Sequence, residues 1–325
     1  MNKRRALLVL AMLAAVSPRL APAQGSPAAF PVKPLHVVVG FPPGGAADAT
    51  IRIVAQGLSA QLGQPVVVDN RPGADSVIAA ELVMKSAPDG YTIFLGSNTA
   101  MVAVPSGRAT PPYDPFKDFT PISSLGAFTM FLVVSPKIPA TTVAQFIDYV
   151  RANPGKLNYA SSNSAAQLAA VQLLGSGKLE MAHVPYKGDA AALTDLMSDR
   201  IQMMFGTGTG VPPLAKDGRV HVLATLLPAR SPLLPEVPTA DEAGLQRLTI
   251  VPWAALFGPA RLPAEISGRL SREVNAALKR PEVGEQLERQ GFAASGSTPE
   301  QLAAFHRAQY EGWTRTVREY GIKFE

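Results

Sequence analysis

The stretch that most constrains this chain is residues 35–48. Leu35-His36-Val37-Val38-Val39 is a β-branched, apolar run of strand length. Phe41-Pro-Pro-Gly-Gly-Ala-Ala-Asp48 follows it. Beyond that, Ile51, Val54, Ala55, Leu58 and Leu62 recur at helical spacing up to Gly63. The reading is strand, Gly-Gly turn, helix N-terminus. Gly44 and Gly45 let the backbone approach a ligand with no Cβ in the way. The first amides of a helix have no partner inside it, and the helix dipole makes that end partly positive. Such a turn can hold an anion with backbone alone. Asp48 falls in the first turn, where a carboxylate can cap amides. The same residues also suit a plain β–α turn that needs glycine for its geometry, so the rest of the chain has to decide.

The grammar continues. Pro65 to Asp69 reads as a buried strand, Ala74 to Ser86 as a helix and Tyr91 to Leu95 as a third strand, with Ser97-Asn98-Thr99 just past its end. Strand–helix–strand–helix–strand in about 60 residues predicts a parallel α/β sheet. Ligands in such sheets bind beyond the carboxyl ends of the strands, where both the Gly-Gly turn and Ser97–Thr99 fall. Residues 100–118, rich in Pro and Gly, read as a long surface loop. Strands are expected over Phe119–Leu125 and Met130–Val134, then a helix to Val150 capped by Thr141 or Thr142. Leu157 to Ala160 is a further strand, followed by Ser161-Ser162-Asn163-Ser164 and a helix carrying Leu168, Val171, Gln172 and Leu174. This polar turn of small residues repeats the opening pattern, although taken by itself ordinary N-capping explains it better. Strands over His183–Tyr186, Ile201–Phe205, Val220–Leu226 and Thr249–Phe257, a helix from Asp189 to Ser198, and amphipathic helices from Pro263 onward complete the chain.

Residues 1–23 read as a secretory signal peptide. Lys3-Arg4-Arg5 is the basic start, Ala6–Val16 is an apolar run too short to span a bilayer, and Ala21-Pro22-Ala23 is a cleavage site. Four of the 30 basic residues (Lys3, Arg4, Arg5, Arg19) lie in it and no acid does. The remaining chain therefore carries 26 Lys and Arg against 25 Asp and Glu, and the net charge falls from +5 to +1. With no basic run interleaved with aromatics, nucleic acid is not an expected partner. The chain has no cysteine, which excludes disulfides, thiolate metal sites and cysteine nucleophiles. An exported, cysteine-free, soluble chain suits a bacterial periplasm, and its 325 residues are enough for two cores.

Enzyme signatures are weak. His36, His183, His221 and His306 are scattered without ligand spacing and read as structural. Neither H-E-x-x-H nor G-x-S-x-G occurs. Gly206-Thr-Gly-Thr-Gly210 follows a strand as a dinucleotide turn would, but Val211-Pro212-Pro213 replaces the last glycine, and no acid stands about 20 residues on.

Many ordered motifs point one way. They are Phe41-Pro-Pro-Gly-Gly-Ala-Ala-Asp48 with Arg52, Val66-Val-Val-Asp-Asn-Arg-Pro-Gly73, Ala87-Pro-Asp-Gly-Tyr91, and Tyr113-Asp-Pro115 with Asp118-Phe119. His183-Val-Pro-Tyr-Lys-Gly188, Val237-Pro-Thr239 with Glu242-Ala-Gly244, and Gly321-Ile-Lys323 with Glu325 follow. Over nearly its whole length the chain resembles the substrate-binding proteins of tripartite tricarboxylate transporters, the TctC-like or Bug proteins.

The resemblance implies an α/β, two-lobed type II periplasmic binding protein fold with the ligand in the cleft. One lobe would comprise residues 24–127 and 249–325, the other 128–248. It implies a monomer with no cofactor, metal or catalytic residue. The protein would capture a small carboxylate, di- or tricarboxylate or aromatic, and deliver it to integral-membrane transporter subunits. The grip would come from main-chain amides of two turns. Expected ligand-binding residues are Phe41, Gly44, Gly45, Ala46, Ala47 and Asp48, then Ser97, Asn98 and Thr99, then Ser161, Ser162, Asn163 and Ser164, and finally Phe205, Gly206 and Thr207. Two departures from the family pattern stand out. The turn after Ser161 is about two residues shorter, without its glycines and with Gln167 in place of a histidine. Gly206 replaces a frequent aspartate, which disfavours an amino-acid ligand and suggests room for a bulkier anion. The competing readings are an exported α/β hydrolase and a sensor feeding a signalling receptor.

Overall fold

The computed structural model describes residues 30–108, 110–186, 188–245, 248 and 252–320. The proposed signal peptide, Lys187, Thr249–Val251 and the Gly321–Glu325 motif lie outside them.

Two mixed sheets organise the described chain. In the first half, β1 (Leu35–Val39) leads to α1 (Ala46–Leu62), β2 (Val66–Asn70), α2 (Val77–Met84), β3 (Thr92–Ser97), the short α3 (Val104–Gly107) and β4 (Phe119–Phe128). The middle of the chain forms β5 (Met130–Val134), α4 (Val143–Ala152), β6 (Asn158–Ser161), α5 (Ser164–Gly177), β7 (Ala182–Pro185), α6 (Asp189–Met197), β8 (Met203–Thr207), α7 (Val211–Lys216) and β9 (His221–Thr225). It then returns through β10 (Trp253–Pro259), α8 (Ala264–Leu278), α9 (Pro281–Arg289), β11 (Phe292–Ala294) and α10 (Pro299–Tyr320).

The first sheet has the order β11-β4-β10-β3-β1-β2 and the second β7-β6-β8-β5-β9. β1 pairs in parallel with both β2 and β3, as the βαβ reading requires. β10 comes back antiparallel between β3 and β4, and every one of its residues is buried. In the second sheet β6 is parallel to β7 and β8, while β5 is antiparallel to β8 and β9. The chain passes from the first sheet to the second at Thr129, whose amide donates to Gly291 O (2.7 Å) and whose carbonyl accepts from the Gly208 amide (2.8 Å). α10 is tied to both layers. His306 Nε2 donates to Met101 O beyond β3 (2.8 Å), and Gln172 Nε2 on α5 donates to Thr316 Oγ1 (2.9 Å).

Local chemistry sets the element ends. Gly63 closes α1 in the left-handed conformation (φ 65°) and its amide returns to Ser59 O. The Thr142 hydroxyl caps α4 through the Gln145 amide. Two sequence expectations are corrected. Residues 100–107 of the expected 100–118 loop are not a surface loop: Thr99–Ala103 forms a π-helical turn that runs into α3, with Ala100, Met101 and Val102 wholly buried. The apolar side chains and the bonds to His306 and Tyr113 outweigh the Pro and Gly signal, and Pro105 sits early in α3, where a missing N–H costs nothing. The expected helix from Ala74 begins only at Val77, because Ala74, Asp75 and Ser76 are left-handed. Neither α7, which opens on Val211-Pro-Pro, nor the three-residue β11 was anticipated.

Two glycines test this backbone reading with opposite signs. Gly63→Ala forces a Cβ into φ 65° and is expected to cost about 1 kcal/mol. Gly284→Ala lies inside α9 with open space around a new Cβ and is expected to gain about 0.5–1 kcal/mol. Urea unfolding of the purified variants measures both.

Candidate functional site

The first turn is built around a buried carboxylate. Asp48 is 3% exposed. Its Oδ2 accepts from the Gly44 amide (2.9 Å) and from Arg52 Nε (2.9 Å), and its Oδ1 accepts from Asn70 Nδ2 (2.9 Å). Asn70, at the end of β2, also donates to Phe41 O (3.1 Å) and accepts from Arg52 Nη2 (3.0 Å). Burial alone would raise the Asp48 pKa. The Arg52 guanidinium, the Gly44 amide and Asn70 outweigh it and hold the group at about 2. Asp48 thus fixes the turn from behind, and the Gly44 amide is spent on it. The first intrahelical bond of α1 is Ala49 N–H to Gly45 O (2.9 Å), so the Ala46, Ala47 and Asp48 amides have no helical acceptor.

The second turn has its own brace. Asp189, opening α6, accepts from the Ser162 hydroxyl on one oxygen and from the Thr207 amide (2.7 Å) on the other. Asn163 caps α5, its Oδ1 accepting from the Ala166 amide (2.9 Å), while its carbonyl accepts from Gln167 (3.1 Å). Ser164 and Ala165 keep amides without an intrahelical partner. Ser161 Oγ lies 2.7 Å from His183 Nε2, and the ring stacks on Tyr159. Burial pushes the His183 pKa down, so the imidazole is neutral at pH 7.

Ser162, Asn163 and Ser164 of the second turn, and Phe41 alone of the first, line a cleft of about 580 Å³. Its walls hold Phe41, Thr99, Ser162, Asn163 and Ser164 from the expected set, together with Asp75, Ala103, Val104, Arg108, Gln167, His183 and Pro185. Thr99 Oγ1 and Ser164 Oγ are 2.9 Å apart, joining the segment after β3 to the helix after β6. The other expected residues stand apart from these walls. Gly44 and Gly45 are exposed, and Ala46 and Ala47 are half-buried. Asn98 is buried with its Oδ1 accepting from the Trp253 amide (2.8 Å), and the buried Ser97 hydroxyl has no hydrogen-bond partner among the described residues. Ser161 is 6% exposed, Phe205 is wholly buried in the core, and Thr207 is held by Asp189. His183, read from sequence as structural, is a wall residue; its place in β7 beside Tyr159, on the strand next to the one that ends at Ser161, was the available signal.

Comparison with known proteins fits this architecture. The family description "Tripartite tricarboxylate transporter family receptor" matches residues 50–322. The chain belongs to that family. It is 33% identical to protein BugT of Bordetella pertussis over 330 residues, covering all of both chains. Among solved structures, the periplasmic binding protein BugD superposes with a TM-score of 0.78 at 27% identity, covering 91% of this chain and all of the other. R. palustris Rpa4515, solved with adipate, superposes at 0.80 with 31% identity, covering 90% of this chain and 99% of the other. The fold of this receptor is accordingly the two-lobed α/β fold of periplasmic binding proteins, and its relatives are solute-binding proteins rather than enzymes.

One sequence expectation about the receptor's cleft fails. Gly206 adds no room to it. A Cβ there would point at Val211 Cγ2, 2.7 Å away, with Met204 Cε and Val133 Cγ2 next, so the space is already filled by core. An aspartate at this position would first have to displace Val211.

The Asp48 brace has a pH signature. Its folded-state pKa lies below the ordinary 3.8, so its contribution is fully present above about pH 4 and is lost as the pH falls toward 2. A shift of this size corresponds to roughly 2 kcal/mol. Asp48→Asn is expected to lose about that much stability at pH 7, and its unfolding free energy should change less with pH between 4 and 2 than the parent's. Urea midpoints across that range measure it.

Proposed function

We propose that this receptor captures a small carboxylate between its lobes and delivers it to integral-membrane transporter subunits. The observation that carries the reading is the cleft whose walls come from both sheets and which is bridged by Thr99 and Ser164. The lobes are residues 24–127 with 249–325, and 128–248. This division follows the passage between sheets at Thr129 and the return at Trp253.

One carboxylate group of the ligand is held by the free amides at the two helix starts: Ala46, Ala47 and Asp48 on α1, Ser164 and Ala165 on α5. Hydrogen bonds to a charged group contribute roughly 1.5–3 kcal/mol each, so four or five support about micromolar affinity after binding costs. Neutral donors also leave no unpaired buried charge in the empty cleft. The adipate in Rpa4515 supports a carboxylate ligand. Export through the signal peptide places the protein in the periplasm, as a monomer. Among the described residues no acid is hydrogen-bonded to His183, so the Ser161–His183 pair lacks the third member that would orient it for hydrolysis.

A thermal-shift screen of mono-, di- and tricarboxylates, with amino acids as controls, tests the reading. Stabilisation by several degrees from a carboxylate, without turnover, is the expected result. Stabilisation by no anion, together with hydrolysis of any ester or amide, would sink it. Gly45→Val tests the backbone grip. A Cβ at Gly45 meets only Pro42 O at 3.7 Å, so the fold tolerates it, while the added isopropyl group obstructs the neighbouring amides. Binding should be lost with unfolding unchanged; unaltered affinity would make the turn merely structural.

A further inference from the structure

The cleft contains one pair of full charges. Among the described residues that line it, Arg108 is the only Lys or Arg and Asp75 the only acid. Arg108 Nη2 and Asp75 Oδ2 are 3.2 Å apart. Their side chains are 34% and 57% exposed, so water screens the pair and its net worth is small. A surface ion pair of this kind ordinarily needs no explanation. Here two further facts set it apart.

First, Asp75 is presented by an unusual backbone. Ala74, Asp75 and Ser76 are consecutive non-glycine residues at φ 48°, 57° and 72°. That conformation is costly for each of them and persists only where the surroundings impose it. They do so through Ser76. The Ser76 amide donates to Gly73 O (3.0 Å), and the Ser76 hydroxyl donates to Gly40 O (3.2 Å) at the end of β1. Ser76 packs so closely on Gly40 that any Cβ there would collide with it. The strained turn is thereby pinned to the same strand end that leads into the Gly-Gly turn, with Asp75 on the cleft wall. Second, every other polar wall residue is uncharged: Thr99, Ser162, Asn163, Ser164, Gln167 and the neutral His183. Arg108 is therefore the one full positive charge among the described wall residues that a second negative charge on a ligand can meet.

We propose that Arg108 is the residue that selects a ligand's second anionic group, and that Asp75 is its exchangeable counter-ion, occupying the guanidinium until a ligand carboxylate replaces it. This rests on the carboxylate-capture reading above. The planar guanidinium can take a carboxylate in a two-bond fork, which the single Asp75 contact does not use. Release costs little, because Asp75 is already more than half exposed and stays hydrated when it lets go. Asp75 also penalises a second charge that fails to displace it, so the pair discriminates as well as attracts.

The test is calorimetric titration of the full chain with linear dicarboxylates from malonate to adipate and with the monocarboxylate of matching length. Arg108→Gln should weaken the best dicarboxylate roughly ten- to hundredfold, with the matched monocarboxylate unchanged within about twofold. Asp75→Asn should strengthen the dicarboxylate severalfold, again leaving the monocarboxylate unmoved. Circular dichroism and melting curves verify that both variants fold. Equal losses for both ligands in Arg108→Gln, or no loss for either, would overturn the proposal. So would a parent protein that binds mono- and dicarboxylate equally, an outcome that leaves carboxylate capture standing. A parent that binds no carboxylate at all overturns both readings together.

Discussion

The carboxylate of Asp48 is the interaction on which the rest of the site depends. A charge this deeply buried is tolerable only when paired and fully hydrogen-bonded, and three donors from three directions meet that condition. The consequence is mechanical. Asn70 brings the end of β2 to Phe41 O, Arg52 spans one turn of α1, and the Gly44 amide pins the glycine pair. A glycine-rich turn is otherwise the most pliable kind of backbone. Here a single buried anion removes that freedom and leaves the next three amides aligned and without helical acceptors. Asp189 does corresponding work for the second turn, with Ser162 and Thr207 on its two oxygens. Each jaw is therefore shaped by an acid that faces away from the cleft.

Much of the architecture was legible in the sequence because period and punctuation agreed. The Leu35–Val39 run marks β1 to the residue, and the apolar stripe from Ile51 to Leu62 with the glycine at 63 marks the body and end of α1. The Thr141-Thr142 pair and the Ser161–Ser164 turn announced their helices, and the caps are Thr142 and Asn163. The failures share a cause, namely tertiary contacts that outweigh local preference. Residues 100–107 looked like part of a loop because Pro105 and Gly107 are turn formers. In the fold, Met101 and its neighbours are buried under α10, and His306 and Tyr113 take their carbonyls. The left-handed run at Ala74–Ser76 has no local signature, since it exists only because Ser76 is drawn against Gly40.

The site was legible in a different sense. The sequence located the segments, through two small-residue turns at strand ends, but not the roles of residues within them. Asp48 looks like a cap and is a brace. Gly206 looks like a gap and is filled by Val211. His183, Asp75 and Arg108 reach the cleft from segments with no ligand-binding pattern, brought there by strand order and by a strained turn. Spacing along the chain carries no information about which side of a strand end meets another sheet, and that is what decides membership of this cleft.

The joins between the two sheets are unequal, and the inequality bears on how such a receptor works. At the front, the Thr99–Ser164 pair is a single bond between hydroxyls, worth about 1 kcal/mol net. Both hydroxyls are readily resolvated, so the front contact parts at little cost. Behind it, Thr129 is fixed on both its amide and its carbonyl. α10 carries the buried Gln172–Thr316 and His306–Met101 bonds, and Trp253 packs against Phe257, Phe305 and His306. Breaking that side would expose apolar surface and leave buried polar groups unpaired, at several times the cost. On the carboxylate-capture proposal, a ligand that bridges the front would need to supply only a modest differential free energy to hold the jaws together, because the bond it reinforces there is weak. On the same proposal the weak front contact would also permit release: neutral hydroxyls rather than a strong ion pair join the jaws, so the bound solute would decide how long they stay closed.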